Sequence, residues 1–140
     1  MKANELMIGD LINGFGVVRR VTSIFGLERP EDDGLLTTMI PGCEFPESNL
    51  SFRPCYARPI PLTAEIMEKN GFTRYRENEE LWDVGVFRLD LGLFAVGIDN
   101  GCGTGMCIMP HGIMTFYCKY VHELQHALRL CGIEKDIIEL

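Results

Sequence analysis

Short apolar runs broken by turn residues fill the first sixty positions of the chain. Leu6 to Ile12 reads as a strand with an early kink at Gly9-Asp10, and Asn13-Gly14 behind it is a hairpin signal. Gly16 to Ile24 is rich in β-branched residues and is the natural return strand. A polar turn at Pro30-Glu31-Asp32-Asp33-Gly34 separates it from a third strand, Leu35 to Ile40. Pro41 to Pro54 is turn-rich, with a strand near Leu50–Phe52. Many short strands joined by tight turns predict a small curled barrel, SH3-like in size. A sheet that small needs a further surface to pack against.

The pattern changes after Pro59-Ile60-Pro61-Leu62, an extended connector. Thr63 is placed to cap a short helix from Ala64 to Asn70, with Glu65 in its first turn. Gly71 then stands where a left-handed residue closes a helix, and Phe72 follows as its apolar neighbour. Trp82 to Leu91, Leu93 to Ile98 and Met106 to Met109 read as strands. Asp99-Asn100-Gly101 turns the chain between the last two, and Ile113 to Phe116 adds an edge strand. From Tyr117 to Cys131 the apolar positions Tyr117, Val121, Leu124, Leu128 and Cys131 recur at helical spacing, with Gly132-Ile133 as the closing signal. The predicted fold is therefore α+β. A small SH3-like β-barrel lobe occupies residues 1–60. A helix, three or four antiparallel strands and a C-terminal helix occupy residues 61–140.

Composition narrows the classes of function. A chain of 140 residues with 46% hydrophobic and 24% charged residues can build one domain or two small lobes, and is too apolar for disorder. No apolar run approaches the roughly 20 residues of a membrane span. The opening, with Glu5 and Asp10, lacks the basic-then-apolar layout of a signal peptide, so a cytoplasmic location is expected. In that compartment the six cysteines are expected to be reduced and to serve as small hydrophobes. Net charge is −7 and both halves are acidic, which disfavours nucleic-acid binding.

One string names a chemistry. His122-Glu123-Leu124-Gln125-His126 spells H-E-x-x-H. On a helix such a pair of histidines can hold zinc while the glutamate activates a bound water. A helical wheel turns His122 and His126 away from the apolar stripe, onto a solvated face beside Lys119 and Arg129. The third ligand is also missing from the usual places: the extended motif calls for Gly at 129 and His at 132, where this chain has Arg129 and Gly132. His111, in a Pro-His-Gly turn, is the other histidine. Weaker candidates are a Cys118–His122 nucleophile pair at i and i+4, the loosely spaced Cys102 and Cys107, and the Gly-rich loop Gly101 to Gly105. The first has no oxyanion hole and the last lacks a phosphate-loop ending.

Three stretches carry a resemblance. They are Met1 to Leu11, Pro59 to Phe72, and Tyr120 to His126 with Leu128 and Gly132. In these the chain resembles a group of uncharacterised small proteins from gut anaerobic bacteria and their phage-like or conjugative elements. In that group the last helix often carries His-Gln-Leu-Gln-Asn, which replaces Glu123 and His126, so the resemblance does not support a zinc site. The resemblance brings no activity with it. The expected function is a non-enzymatic binding or accessory module of a mobile genetic element, acting through protein partners or self-association, with no cofactor. The alternative is a minimal zinc-dependent hydrolase with His122 and His126 as ligands and Glu123 as base.

Overall fold

The computed structural model describes residues 2, 5–25, 34–43, 45, 48–74, 86–88, 94–98, 105–108, 114–133 and 140. The chain divides into two compact units, Met1–Ile60 and Pro61–Leu140. The fold is α+β, with a curled five-stranded antiparallel half-barrel and two helices.

The first unit holds β1 (Leu11–Gly14), β2 (Val17–Phe25), β3 (Leu35–Met39), β4 (Leu50–Phe52) and β5 (Ala57–Arg58), in the order β4-β3-β2-β1-β5. Alternation puts Ile12, Val21, Leu36, Phe52 and Ala57 into one buried cluster, which Leu6 joins from the segment before β1. A register shift between Val21 and Ser23 inserts a bulge into β2, and bulges increase local twist. Thr38 is fully buried, and its hydroxyl donates to the Leu50 carbonyl at 3.0 Å. A buried hydroxyl therefore costs the core little.

Two expectations for this unit are corrected. The first strand begins at Leu11 rather than Leu6, because Met7 to Asp10 forms a turn. The Asp10 side chain accepts the Met7 N–H at 2.8 Å, and the Asp10 N–H donates to the Met7 carbonyl at 3.2 Å. The hairpin turn is Phe15-Gly16 rather than Asn13-Gly14. Gly14 pairs with Val17, leaving Phe15 (φ 55°) and Gly16 (φ 82°) as the two turn residues, both with positive φ. Asn13 lies inside the ladder, facing Val18 on one side and Arg58 on the other. Its side chain accepts the Gly16 N–H at 2.9 Å and so closes the turn from the strand. Gly14 leaves room for Phe52: a Cβ there would lie 2.7 Å from the Phe52 ring. The single-turn 3₁₀ helix Pro54–Tyr56 and the two-residue β5 are too short to show a period in the sequence.

The second unit begins with α1 (Ala64–Lys69). The Thr63 hydroxyl accepts the Ile66 N–H at 3.3 Å, and Glu65 pairs with Lys69 at 3.1 Å. The helix closes with Gly71 N–H to Glu68 O and Phe72 N–H to Met67 O, the paired bonds of a Schellman ending. Five strands follow: β6 (Thr73–Arg74), β7 (Val86–Arg88), β8 (Phe94–Ile98), β9 (Gly105–Ile108) and β10 (Met114–Cys118), in the order β6-β7-β8-β10-β9. The expected purely antiparallel sheet is corrected to a mixed one, since β10 runs parallel to β8. The expected edge strand at Ile113–Phe116 is an inner strand, because β9 takes the edge and β10 inserts between it and β8. A strand pattern along the chain carries no information about spatial order. The turns expected at 30–33 and 99–101, and Trp82, lie outside the described residues.

The last helix, α2 (Val121–Leu130), starts four residues later than its periodicity predicts, because Tyr117 and Cys118 belong to β10. It ends on Gly132 N–H to Arg129 O and Ile133 N–H to Leu128 O, repeating the closure of α1. The connector lies against the entry to α2. Leu62 N–H donates to Lys119 O at 2.9 Å, and Pro61 bridges Tyr120. Among the described residues no helix is long and apolar enough to cross a membrane.

Candidate functional site

The H-E-x-x-H segment forms the first turn and a half of α2. The solvated placement of its histidines is corrected. His122 is buried, at 6% exposure, along with Gln125, and His126 is half-buried. Arg129 lies at nearly the same azimuth as His122, two turns later, and is exposed. Burial thus varies along the axis of α2, which a wheel averages away. Tyr120 covers one face of the His122 ring, with centroids 5.7 Å apart and planes 10° from parallel. The His126 ring meets His122 edge-on, at 5.9 Å and 75°.

Glu123 points back along the helix instead of outward. Its carboxylate accepts the Lys119 N–H at 2.7 Å and the Tyr120 N–H at 3.1 Å. Amides at the start of a helix have no intrahelical acceptor, and a glutamate in the third position is a standard way to satisfy them. Both amides bind the same oxygen, Oε2, and so turn the carboxylate toward the start of the helix. Among the described residues no group of three or more His, Cys, Asp or Glu side chains stands close enough to hold a metal. His111 and Cys102 lie outside the described residues.

Cys118 and His122 are not helix neighbours, as i, i+4 spacing implied, because Cys118 ends β10. Burial, aided by the negative charge of Glu123, pushes the Cys118 thiol up to about 12. A thiol held that high is protonated at neutral pH and is no nucleophile.

The first unit offers a different feature. Phe15, at the tip of the β1–β2 hairpin, is 61% exposed and sits in the left-handed region. It meets Phe52 edge-on at 5.2 Å and 75°, and stacks on Tyr56 at 5.7 Å and 25°. Tyr56 closes the 3₁₀ turn by donating its N–H to the Arg53 carbonyl at 3.0 Å, and is 58% exposed. Val17, on the other side of the turn, is exposed as well. The site is thus a small aromatic platform, with Phe52 beneath and Phe15 and Tyr56 open to solvent. The sequence did hold a signal for it. Gly14-Phe15-Gly16 puts a large aromatic where a turn normally carries small or polar residues.

No protein-family model, no curated protein and no solved structure matches the chain.

Proposed function

We propose that the protein is a non-enzymatic binding module whose half-barrel, SH3-like in size, engages a protein partner through the Phe15–Tyr56 platform. The observation that carries this reading is Phe15 itself. A non-glycine residue with positive φ is uncommon, and in a bulky side chain it is an outlier that the surroundings must hold in place. Here the strained backbone presents an aromatic ring to solvent, where glycine or asparagine would turn the hairpin at lower cost. Aromatic side chains of this kind dominate the energetics of protein interfaces. The use of Glu123 as a helix cap supports the same reading, since its Oε2 is turned to the Lys119 and Tyr120 amides at the start of α2.

The test is panning of a displayed peptide library against the wild-type protein and against a Phe15→Asp, Tyr56→Asp double variant. The expected result is a consensus peptide that the wild type enriches and the variant does not. Failure to enrich any consensus, or equal enrichment by both, would overturn the reading.

A further inference from the structure

The platform is built from two stretches of this acidic chain that contain no acid. No Asp or Glu occurs from Leu11 to Leu27 or from Ser48 to Ala64, the two segments that supply Phe15, Phe52 and Tyr56. Those same segments carry Arg19, Arg20, Arg53 and Arg58. Arg53 and Arg58 are exposed. Arg53 opens the 3₁₀ turn that ends on Tyr56, and Arg58 lies beside Asn13 in the ladder, two residues from Phe15. Arg19 adds charge from within. Its aliphatic stem packs by Gly14, and its guanidinium donates to the Ser48 carbonyl at 3.0 Å. Among the described residues its buried Nε has no hydrogen-bond partner. That carbonyl is neutral, so the bond does not cancel the positive charge of Arg19.

From this placement we infer that the Phe15–Tyr56 platform docks a short acidic peptide segment of a partner protein that carries one apolar anchor residue. The inference rests on the binding-module reading and adds the chemistry of the partner. The rings take the anchor, while Arg53 and Arg58 face carboxylates on either side of it. A single-stranded nucleic acid is also anionic and also stacks on aromatic rings. It needs a track of cations along its backbone, and a chain of net charge −7 with two exposed arginines at the site offers no such track.

The experiment is fluorescence anisotropy on the full chain with a fluorescein-labelled peptide in which glutamates surround one tryptophan. The controls are the same peptide with lysine in place of glutamate, and labelled oligo(dT). The acidic peptide is expected to bind, to weaken as salt rises, and to weaken by about tenfold or more in the Arg53→Glu, Arg58→Glu double variant. Both arginines are exposed, so circular dichroism is expected to show that variant folded. Absence of binding by the acidic peptide, an undiminished affinity in the double variant, or tighter binding by either control would overturn the inference. Tighter binding of the lysine peptide that is lost in Phe15→Ala would leave the platform reading standing and remove only the acidic partner. A peptide affinity that Phe15→Ala leaves unchanged would remove both.

Discussion

Phe15→Gly and Phe15→Ala, compared side by side, separate the strain in the hairpin from the contacts of the ring. Both remove the edge contact with Phe52 at 5.2 Å and the stack on Tyr56 at 5.7 Å. Pairs of this kind are worth about 0.5–1.5 kcal/mol each when buried, and the 61% exposure of Phe15 puts these at the lower end. The loss common to both variants is therefore about 1 kcal/mol. The backbone term then differs. At φ 55° an L-residue with a Cβ carries roughly 1–2 kcal/mol that glycine does not. Glycine gives back about 0.4–1 kcal/mol through the greater freedom of its unfolded chain. The difference leaves Phe15→Gly more stable than Phe15→Ala by roughly 1 kcal/mol, the reverse of the order in a helix or strand interior. The assay is amide hydrogen exchange on the full chain at increasing urea, read at β1 and β2, because exchange reports the opening of this unit alone. An alanine variant as stable as the glycine variant would mean that Phe15 is not held in the left-handed region. The hairpin would then hold no strain to mark Phe15 as a binding residue.

Other expectations follow from single contacts. Gly14→Ala drives a Cβ to 2.7 Å from the Phe52 ring and 3.0 Å from Arg19 Cδ, and should destabilise the first unit by about 1–3 kcal/mol in the same exchange measurement. At pH 8 iodoacetamide should alkylate exposed Cys55 and spare Cys118, as peptide mapping by mass spectrometry would show. Cys118 also sets a pH dependence. Its folded value lies near 12 against 9.0 for a free thiol, so above pH 9 the unfolded chain releases this proton while the folded chain keeps it. Stability supplied by the neutral thiol is complete below pH 9 and falls by roughly 1.4 kcal/mol per pH unit between 9 and 12. Cys118→Ala should flatten that part of a urea-midpoint profile, and an unchanged slope would refute the assignment. His126→Asn removes the edge contact with His122 and should cost about 0.5–1 kcal/mol in thermal unfolding.

What could be read from the sequence was whatever local chemistry decides. The two Gly-apolar helix endings, the Thr63 cap and strands β2, β3, β4 and β8 all rest on neighbours within a few residues. Register and spatial order do not. Asn13-Gly14 is a strong turn signal, yet Gly14 is needed as the gap into which Phe52 packs, thirty-eight positions along, and the turn moves on to a phenylalanine. Tyr117 fits the helical period of α2 by chance of spacing, and pairing with Gly97 claims it for the sheet. The platform was hidden for the same reason. Phe15, Phe52 and Tyr56 come together only once β5 has paired with β1.

The case of Glu123 shows how one residue can satisfy two patterns while serving one of them. Read as H-E-x-x-H it is a base, and read as the third residue of a helix it is a cap. The two roles require different side-chain chemistry, which makes them separable. A cap needs an acceptor, and glutamine supplies one, whereas a base needs a group that takes up a proton, which glutamine cannot do. Glu123→Gln should keep the bonds from the Lys119 and Tyr120 amides and lose only the attraction of a negative charge to the start of α2, about 0.3–1 kcal/mol. Glu123→Ala should lose the acceptor too, for a total nearer 1–2 kcal/mol. The readout is exchange protection at the Lys119 and Tyr120 amides together with the urea midpoint of the full chain. Protection that survives in the glutamine variant and collapses in the alanine variant assigns the side chain to the helix. Equal loss in both would show that the carboxylate charge is what matters at this position. That result would return Glu123 to the list of groups whose chemistry still needs an explanation.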